Sequence, residues 1–121
     1  MNQEVTLPWP AKELSPNARV HWAVLARAKK SYRVACFALA RQARITQPGL
    51  GNIRIEMTFY PPTRRARDDD NLIASMKAGL DGLADAMGVN DKRFKIKPPK
   101  VSEQLGGMVK VQISHMDEPN T

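Results

Sequence analysis

Apolar and polar residues alternate in four segments of the chain, and this period of two predicts β-strands. The clearest case is the run Ile53, Ile55, Met57 and Phe59, which ends at Pro61. The other segments are shorter or interrupted by proline, which predicts edge strands or early strand ends. The predicted strands cover about residues 4–9, 53–60, 94–102 and 108–116.

A period of three to four residues predicts a long first helix over about residues 19–45, which contain neither Pro nor Gly. The apolar stripe of this helix consists of Trp22, Leu25, Ala28, Tyr32, Ala35, Leu39 and Ala43. A second row with the same spacing is either a solvated face or a phosphate-facing stripe, and it consists of Arg27, Lys30, Val34, Phe37, Arg41 and Arg44. Cys36, the single cysteine, has apolar neighbours and is predicted to be a buried thiol. One thiol excludes an intramolecular disulfide and a cysteine-based zinc site.

A second helix is predicted over about residues 72–87, with Asp70 or Asn71 as its N-cap. Gly88 suits the position after its end. Two glycines inside this helix, Gly79 and Gly82, each cost about 1 kcal/mol relative to Ala, which points to close packing against another helix.

The order β-α-β-α-β-β predicts an α+β fold, with two main helices packed on a small mixed sheet of about four strands. A chain of 121 residues suits a single domain over 1–121, with 117–121 as a frayed tail. There is neither an apolar run long enough to cross a membrane nor an N-terminal secretory signal. With its single thiol, this predicts a cytoplasmic protein without a membrane partner.

The net charge is +7, from 19 Lys and Arg against 12 Asp and Glu, with a pI near 9.9. A domain this basic usually meets a polyanion, and nucleic acid is the first candidate. Three consecutive carboxylates, Asp68, Asp69 and Asp70, nevertheless follow directly after the basic loop 63–67. Carboxylates repel phosphates, but a carboxylate pair that holds Mg²⁺ reverses the local field.

Two interpretations of these acids remain open. If residues 67–70 are extended, Asp68 and Asp70 point the same way and could grip one ion. Alternatively, the acids favour the positive end of a helix dipole. Asp91 likewise stands beside a basic run, and the alternative for it is a turn residue.

The pattern Asp68-x-Asp70-Asn71-Leu72, an apolar helix and then Asp91 resembles the signature of the RusA family of Holliday junction resolvases. The segments 7–10, Leu-Pro-Trp-Pro, and 15–17, Ser-Pro-Asn, are similar to that family as well, and so is the basic run before the acids. The similarity covers nearly the whole chain in order and length.

The resemblance implies a homodimeric, Mg²⁺-dependent endodeoxyribonuclease that nicks opposed strands of four-way junction DNA in recombination and repair. Asp68, Asp70 and Asp91 correspond to its catalytic, metal-binding acids, with Asn71 in support. Where members often carry a catalytic lysine this chain has Ala74, and the nearest candidate is Lys77, about one helical turn further on. The candidate DNA-backbone contacts are Arg64, Arg65, Arg67, Lys92, Arg93, Lys95 and Lys97.

Chain geometry raises the question of whether these acids meet within one chain. A straight helix over 72–87 is about 24 Å long, and residues 88–91 return at most about 13 Å. The remaining gap of about 10 Å closes if the helix bends, for example around Gly79 or Gly82. It also closes if Asp91 comes from a second subunit across a two-fold axis.

Two rival functions involve no catalysis. In a non-catalytic basic DNA-binding protein, the acids would be helix caps. An RNA- or ribosome-associated protein would be expected to expose stacking aromatics, but the chain has only seven aromatic residues. His21 and His115 lie in no motif, and structural roles are predicted for both.

Overall fold

The computed structural model describes residues 2–65 and 67–116. The fold is α+β, with a mixed sheet of five strands and three helices. The strands are β1 Gln3–Pro8, β2 Ile53–Tyr60, β3 Phe94–Ile96, β4 Lys100–Val101 and β5 Met108–His115. The helices are α1 Trp22–Gln42, α2 Asp69–Ser75 and α3 Lys77–Met87, and short 3₁₀ turns cover Lys12–Leu14 and Asp91–Arg93. The predicted tail at 117–121 lies outside the described residues.

The sheet has the order β1-β5-β2-β3, and β4 also pairs with β2. β1 and β2 each run antiparallel to β5, whereas β3 and β4 run parallel to β2. Parallel strands need a long crossover connection, and α2 and α3 provide it between β2 and β3. The predicted strand 94–102 forms two short strands, because Pro98 and Pro99 cannot donate ladder hydrogen bonds.

The core lies between the helices and one face of the sheet. The inward residues of β2, Ile53, Ile55, Met57 and Phe59, are at most 1% exposed, as their alternation predicted. The opposite face of β2 carries Arg54, Glu56, Thr58 and Tyr60 at exposed or half-buried positions. The period of two therefore identified both faces of this strand.

Helix α1 begins at Trp22 rather than residue 19, because His21 caps it: the Nδ1 of His21 accepts from the amide of Ala23 at 3.1 Å. Tyr32 and Cys36 are buried, as predicted, and burial raises the pKa of the Cys36 thiol to about 11. Trp22, however, is 76% exposed, and Ala43, the C-cap that follows the helix, is exposed too, so their places in the predicted apolar stripe were wrong. Helical spacing gives the direction of a side chain, but not how far the surface that would cover it extends.

Helices α1 and α3 pack closely at the two glycines of α3. A Cβ atom at Gly82 would collide with the carbonyl oxygen of Arg33, and one at Gly79 would lie 2.6 Å from the Tyr32 ring. The close packing predicted from these glycines is confirmed. Residues with side chains at these two points would force the helices apart.

The predicted second helix is divided at Met76 rather than at Gly79 or Gly82. The Met76 amide donates to the carbonyl of Ile73, and its backbone is in the αR region at φ −91° and ψ −1°. Its side chain is fully buried, and the sulfur accepts from the Tyr32 hydroxyl at 3.4 Å. That hydroxyl also donates to the carbonyl of Pro8 at 2.6 Å, so Tyr32 ties the α2–α3 junction to the end of β1.

No helix in the described part of the chain is both long and apolar enough to cross a membrane.

Candidate functional site

The first acidic group stands at the start of α2. Asp68 is the N-cap, and its Oδ1 accepts from the amides of Asp70 at 2.8 Å and Asn71 at 3.4 Å. Asp69 and Asp70 are exposed in the first helical turn, where the dipole favours negative charge. Of the two interpretations, the helix start is the one formed, because Asp69 and Asp70 are helical, and the cap is Asp68 rather than Asp70 or Asn71. The amides of the first turn are better satisfied by a carboxylate one residue before the helix.

The cap engages only one carboxylate oxygen, the Oδ1 of Asp68. No hydrogen bond or ion pair within residues 2–65 and 67–116 engages the second oxygen of Asp68 or the Asp70 carboxylate. Both residues are exposed, so these oxygens face solvent. The helix-start interpretation thus explains one oxygen of Asp68 and leaves the others free to bind a cation.

The second acidic group surrounds Lys77 at the start of α3. Its Nζ donates to Asp81 at 3.0 Å and to Asp91 at 2.5 Å. The hydrogen bond and charge of Lys77 hold the pKa of Asp91 below its ordinary value, and the same bond, with that to Asp81, raises the pKa of Lys77. Asp91 begins a 3₁₀ turn capped by Asn90, so it is also the turn residue of the alternative interpretation.

Sequence reasoning missed three members of this neighbourhood. Arg33 of α1 forms a two-bond ion pair with Asp85 of α3 at 2.7 and 2.9 Å, which holds the pKa of Asp85 low. Arg33, Asp81 and Asp85 line one pocket with Lys77 and Asp91. The i, i+4 spacing of Lys77, Asp81 and Asp85 was the available signal.

The two acidic groups do not merge within one protomer. Lys77 lies seven residues beyond Asp70, which corresponds to about 10 Å along a helix axis. In the described part of the chain, no three His, Cys, Asp or Glu side chains are close enough to hold an ion together. Within the described residues, the division at Met76 therefore does not bring Asp68, Asp70 and Asp91 together as a three-acid group.

Whether these residues could bind Mg²⁺ depends on the oxygen ligands that they offer. Mg²⁺ is usually bound by one or two carboxylates, with water and substrate phosphates completing its ligands. Exposed Asp68 and Asp70 suit that pattern, and Asn71, half-buried in the same turn, lines the same groove as Asp68. Asp91 of the same protomer is instead held by Lys77. One protomer thus fits a two-carboxylate site, not a three-carboxylate site.

The seven predicted DNA contacts lie on several surfaces. Arg64 and Arg65 are exposed directly before the acids. Arg67 folds back on its own loop, donating to the carbonyls of Thr63 at 3.0 Å and Arg65 at 3.1 Å. Burial is the main cause that lowers the Arg67 pKa, and Arg65 adds to it.

The basic residues after Asp91 also differ in their contacts and exposure. Arg93 donates to the carbonyls of Gly49 and Gly51 and to the Gln47 side chain, so it orders the loop before β2. Lys92 is exposed, and Lys97 is half-buried. Lys95 is exposed on the open face of the sheet, opposite Arg54. Among these residues, Arg93 has a structural role that its basic surroundings did not indicate.

Both histidines have structural contacts, in line with their prediction. His21 caps α1, and the Nε2 of His115 is hydrogen-bonded to the carbonyl of Leu50.

No protein-family model matches the chain. A protein of Xylella fastidiosa (strain Temecula1 / ATCC 700964), described as an uncharacterized protein, is 42% identical over 117 residues. The similarity covers 93% of this chain and 76% of the relative. The chain belongs to the same family as this Xylella protein. Its description names no activity.

Proposed function

We propose that this protein is a Mg²⁺-dependent endodeoxyribonuclease of the RusA family, which resolves four-way DNA junctions in recombination and repair by paired, symmetric nicks. The observation that carries the proposal is the position of Asp68 and Asp70. The solvent-facing carboxylate of Asp68 follows exposed Arg65 by three residues along the chain, in a protein of net charge +7. Such a juxtaposition suits a phosphate-binding surface that also holds a cation.

Each group then has a distinct task. Arg64 and Arg65 bind the DNA backbone, which contributes affinity and steep salt dependence but little sequence information. Asp68 and Asp70 hold the ion, and bound Mg²⁺ supplies Lewis-acid stabilisation of the charge on the phosphate under attack. Lys77 orients Asp91 through its hydrogen bond.

A homodimer completes the site in this proposal. Asp91 of one protomer approaches Asp68 and Asp70 of its partner, which provides the third carboxylate that one protomer does not bring near them. Two such composite centres, related by a two-fold axis, would nick two strands symmetrically. Junction selectivity would then come from the spacing of the centres rather than from base contacts.

The direct test incubates the protein with a synthetic four-way junction and with a duplex of the same sequence, with and without Mg²⁺. We expect symmetric nicks in the junction only, and only with Mg²⁺. Asp70→Asn is the matched control, since it removes one charge at an exposed position and is expected to abolish nicking while junction binding persists. Binding without Mg²⁺-dependent nicking by the unaltered protein would contradict the proposal.

A non-catalytic DNA-binding protein is the second candidate, and the capping role of Asp68 favours it. In that case Asp68 serves the helix alone, and the Asp70→Asn variant behaves like the unaltered protein in every DNA assay. The same junction experiment therefore separates the two candidates.

A further inference from the structure

A groove of about 920 Å³ lies between the loop that follows β1 and the basic loop that follows β2. One wall carries Lys12, Asn17 and Arg19, and the other carries Arg65 and Arg67. Asp68 and Asn71 of α2 also line this groove. The first loop, residues 9–20, thereby faces the acids at the start of α2. It contains the segment 15–17, Ser-Pro-Asn, which carries part of the family resemblance but to which the sequence assigned no role.

The charges in this groove are mostly positive. Four cationic side chains line it, against the two carboxylates of Glu13 and Asp68. Lys12 and Arg19 are exposed, and neither forms an ion pair with another residue in the described ranges. Cations on two facing walls create a potential that concentrates a polyanion between them.

The wall formed by the basic loop is held in place before any ligand binds. The Arg67 guanidinium donates to two carbonyls of its own loop and lies 5.3 Å from the centre of the Trp9 ring. Trp9 in turn packs edge-to-face on buried Phe59, with 5.7 Å between the ring centres. This chain of contacts links the loop to the core, so that little ordering would oppose binding.

We propose that this groove binds the sugar–phosphate backbone of a single DNA strand and leads it to Asp68 and Asp70. Lys12 and Arg19 contact its phosphates, and Asn17 donates a hydrogen bond to them. The groove has the volume of a small-ligand pocket, which suits a few nucleotides of one strand rather than a length of duplex. A positively charged groove that follows the backbone is the usual way to bind one strand without sequence preference. The choice of DNA as the ligand rests on the proposed function.

The test measures binding of a short fluorescein-labelled single-stranded DNA by anisotropy, in EDTA so that no cleavage occurs, over a range of salt concentrations. For the double variant Lys12→Ala/Arg19→Ala, we expect a loss of affinity on the order of ten-fold at low salt. The plot of the logarithm of the association constant against the logarithm of salt concentration has a negative slope. Its steepness should decrease by about 1.4, since each lost phosphate contact to single-stranded DNA contributes about 0.7.

Two further variants sharpen the test. Lys29→Ala/Arg54→Ala removes the same charge from exposed positions of α1 and β2 outside the groove, and it should bind nearly as well as the unaltered protein. Asp68→Asn should bind the strand more tightly in EDTA, because it removes a carboxylate that repels phosphates, while Asn caps the helix equally well. Equal losses in both double variants, or tighter binding of duplex than of single strand, would overturn the proposal.

The strand-binding assay and the junction-nicking assay test the groove proposal and the nuclease proposal separately. If the unaltered protein binds the strand through Lys12 and Arg19 but never nicks a junction, the nuclease proposal fails and the groove stands. If it nicks junctions and the Lys12→Ala/Arg19→Ala variant still binds the strand normally, the groove proposal fails and the nuclease stands.

Discussion

Lys77 is the residue on which the second acidic group depends. Its ammonium bridges Asp81 and Asp91, and thereby joins α3 to the turn that follows it. The Lys77 side chain is 65% exposed, so these pairs are screened by water and contribute little to overall stability. Their effect is to orient Asp91 and to lower its pKa.

We predict that Lys77→Met raises the pKa of Asp91 back toward its ordinary value of 3.8, because its main hydrogen bond and nearest positive charge are lost. A depressed carboxyl pKa stabilises the fold above the unfolded-state pKa, and this contribution disappears as the pH falls through the folded-state value. In this variant, the free energy of unfolding should therefore lose the part of its dependence on low pH that comes from Asp91. NMR titration of the side-chain carboxyl carbons measures the shift directly.

Lys77→Arg is the matched control for this titration, since it retains a cation able to bond both carboxylates. In that variant, the pKa of Asp91 should stay low. The pKa of Asp85, which depends on Arg33, should be little changed in either variant. An Asp91 that titrates identically in the unaltered protein and in Lys77→Met would disprove the orienting role.

At the scale of elements, the contact between α1 and α3 determines where both acidic groups lie. Gly82 allows the backbones to meet at Arg33, and the Arg33–Asp85 ion pair lies at the same crossing. Because α3 continues from α2 across Met76, any displacement of α3 also moves the acids at the start of α2.

We predict that Gly82→Ala lowers the free energy of unfolding by about 1–2 kcal/mol. Overpacking typically costs about 1–3 kcal/mol, and the better helix propensity of Ala returns up to about 1 kcal/mol. Urea denaturation, followed by circular dichroism, measures the difference.

Gly106→Ala provides the comparison for Gly82→Ala. A Cβ at Gly106 would lie 3.3 Å from its nearest atoms, the Met108 Cε and the Tyr60 Cβ, whereas one at Gly82 would lie 2.4 Å from a backbone oxygen. This variant should lose less stability. A Gly82→Ala protein as stable as the unaltered one would contradict the close helix contact.

At the scale of the whole molecule, the proposed function predicts a catalytic centre shared by two protomers, because Asp68, Asp70 and Asp91 form no three-acid group within the described residues of one protomer. In such a centre, Asp70 and Asp91 act from different chains. Two inactive variants can then complement each other, which is impossible when both residues must act from one chain.

We predict that mixing Asp70→Asn and Asp91→Asn proteins, each inactive alone, restores junction nicking. A mixed dimer holds one intact centre, so random exchange of subunits recovers about a quarter of the centres. The products should be single nicks rather than paired cuts, which a denaturing gel distinguishes from resolved junctions. Each variant mixed with itself is the control, and an inactive mixture in which subunit exchange is demonstrated would rule out a shared centre.

The elements were largely predictable because their signals are local. Alternation located β2 and β5, and helical spacing located α1 and the α2–α3 segment, since both periods follow directly from backbone geometry. The division at Met76 was not predictable from such a pattern. Met76 is a good helix former, and what accompanies the break is its buried contact with Tyr32, a residue 44 positions away.

The features of the candidate site were likewise only partly predictable from sequence. The sequence alone determined the charge, the α+β class and the chemistry on offer, because these depend on residue types and short spacings. Only the tertiary structure decided that Lys77 holds Asp91 and that residues 9–20 form a wall facing the acids. Those facts depend on contacts between residues distant along the chain, and the packing of the core determines which of them meet.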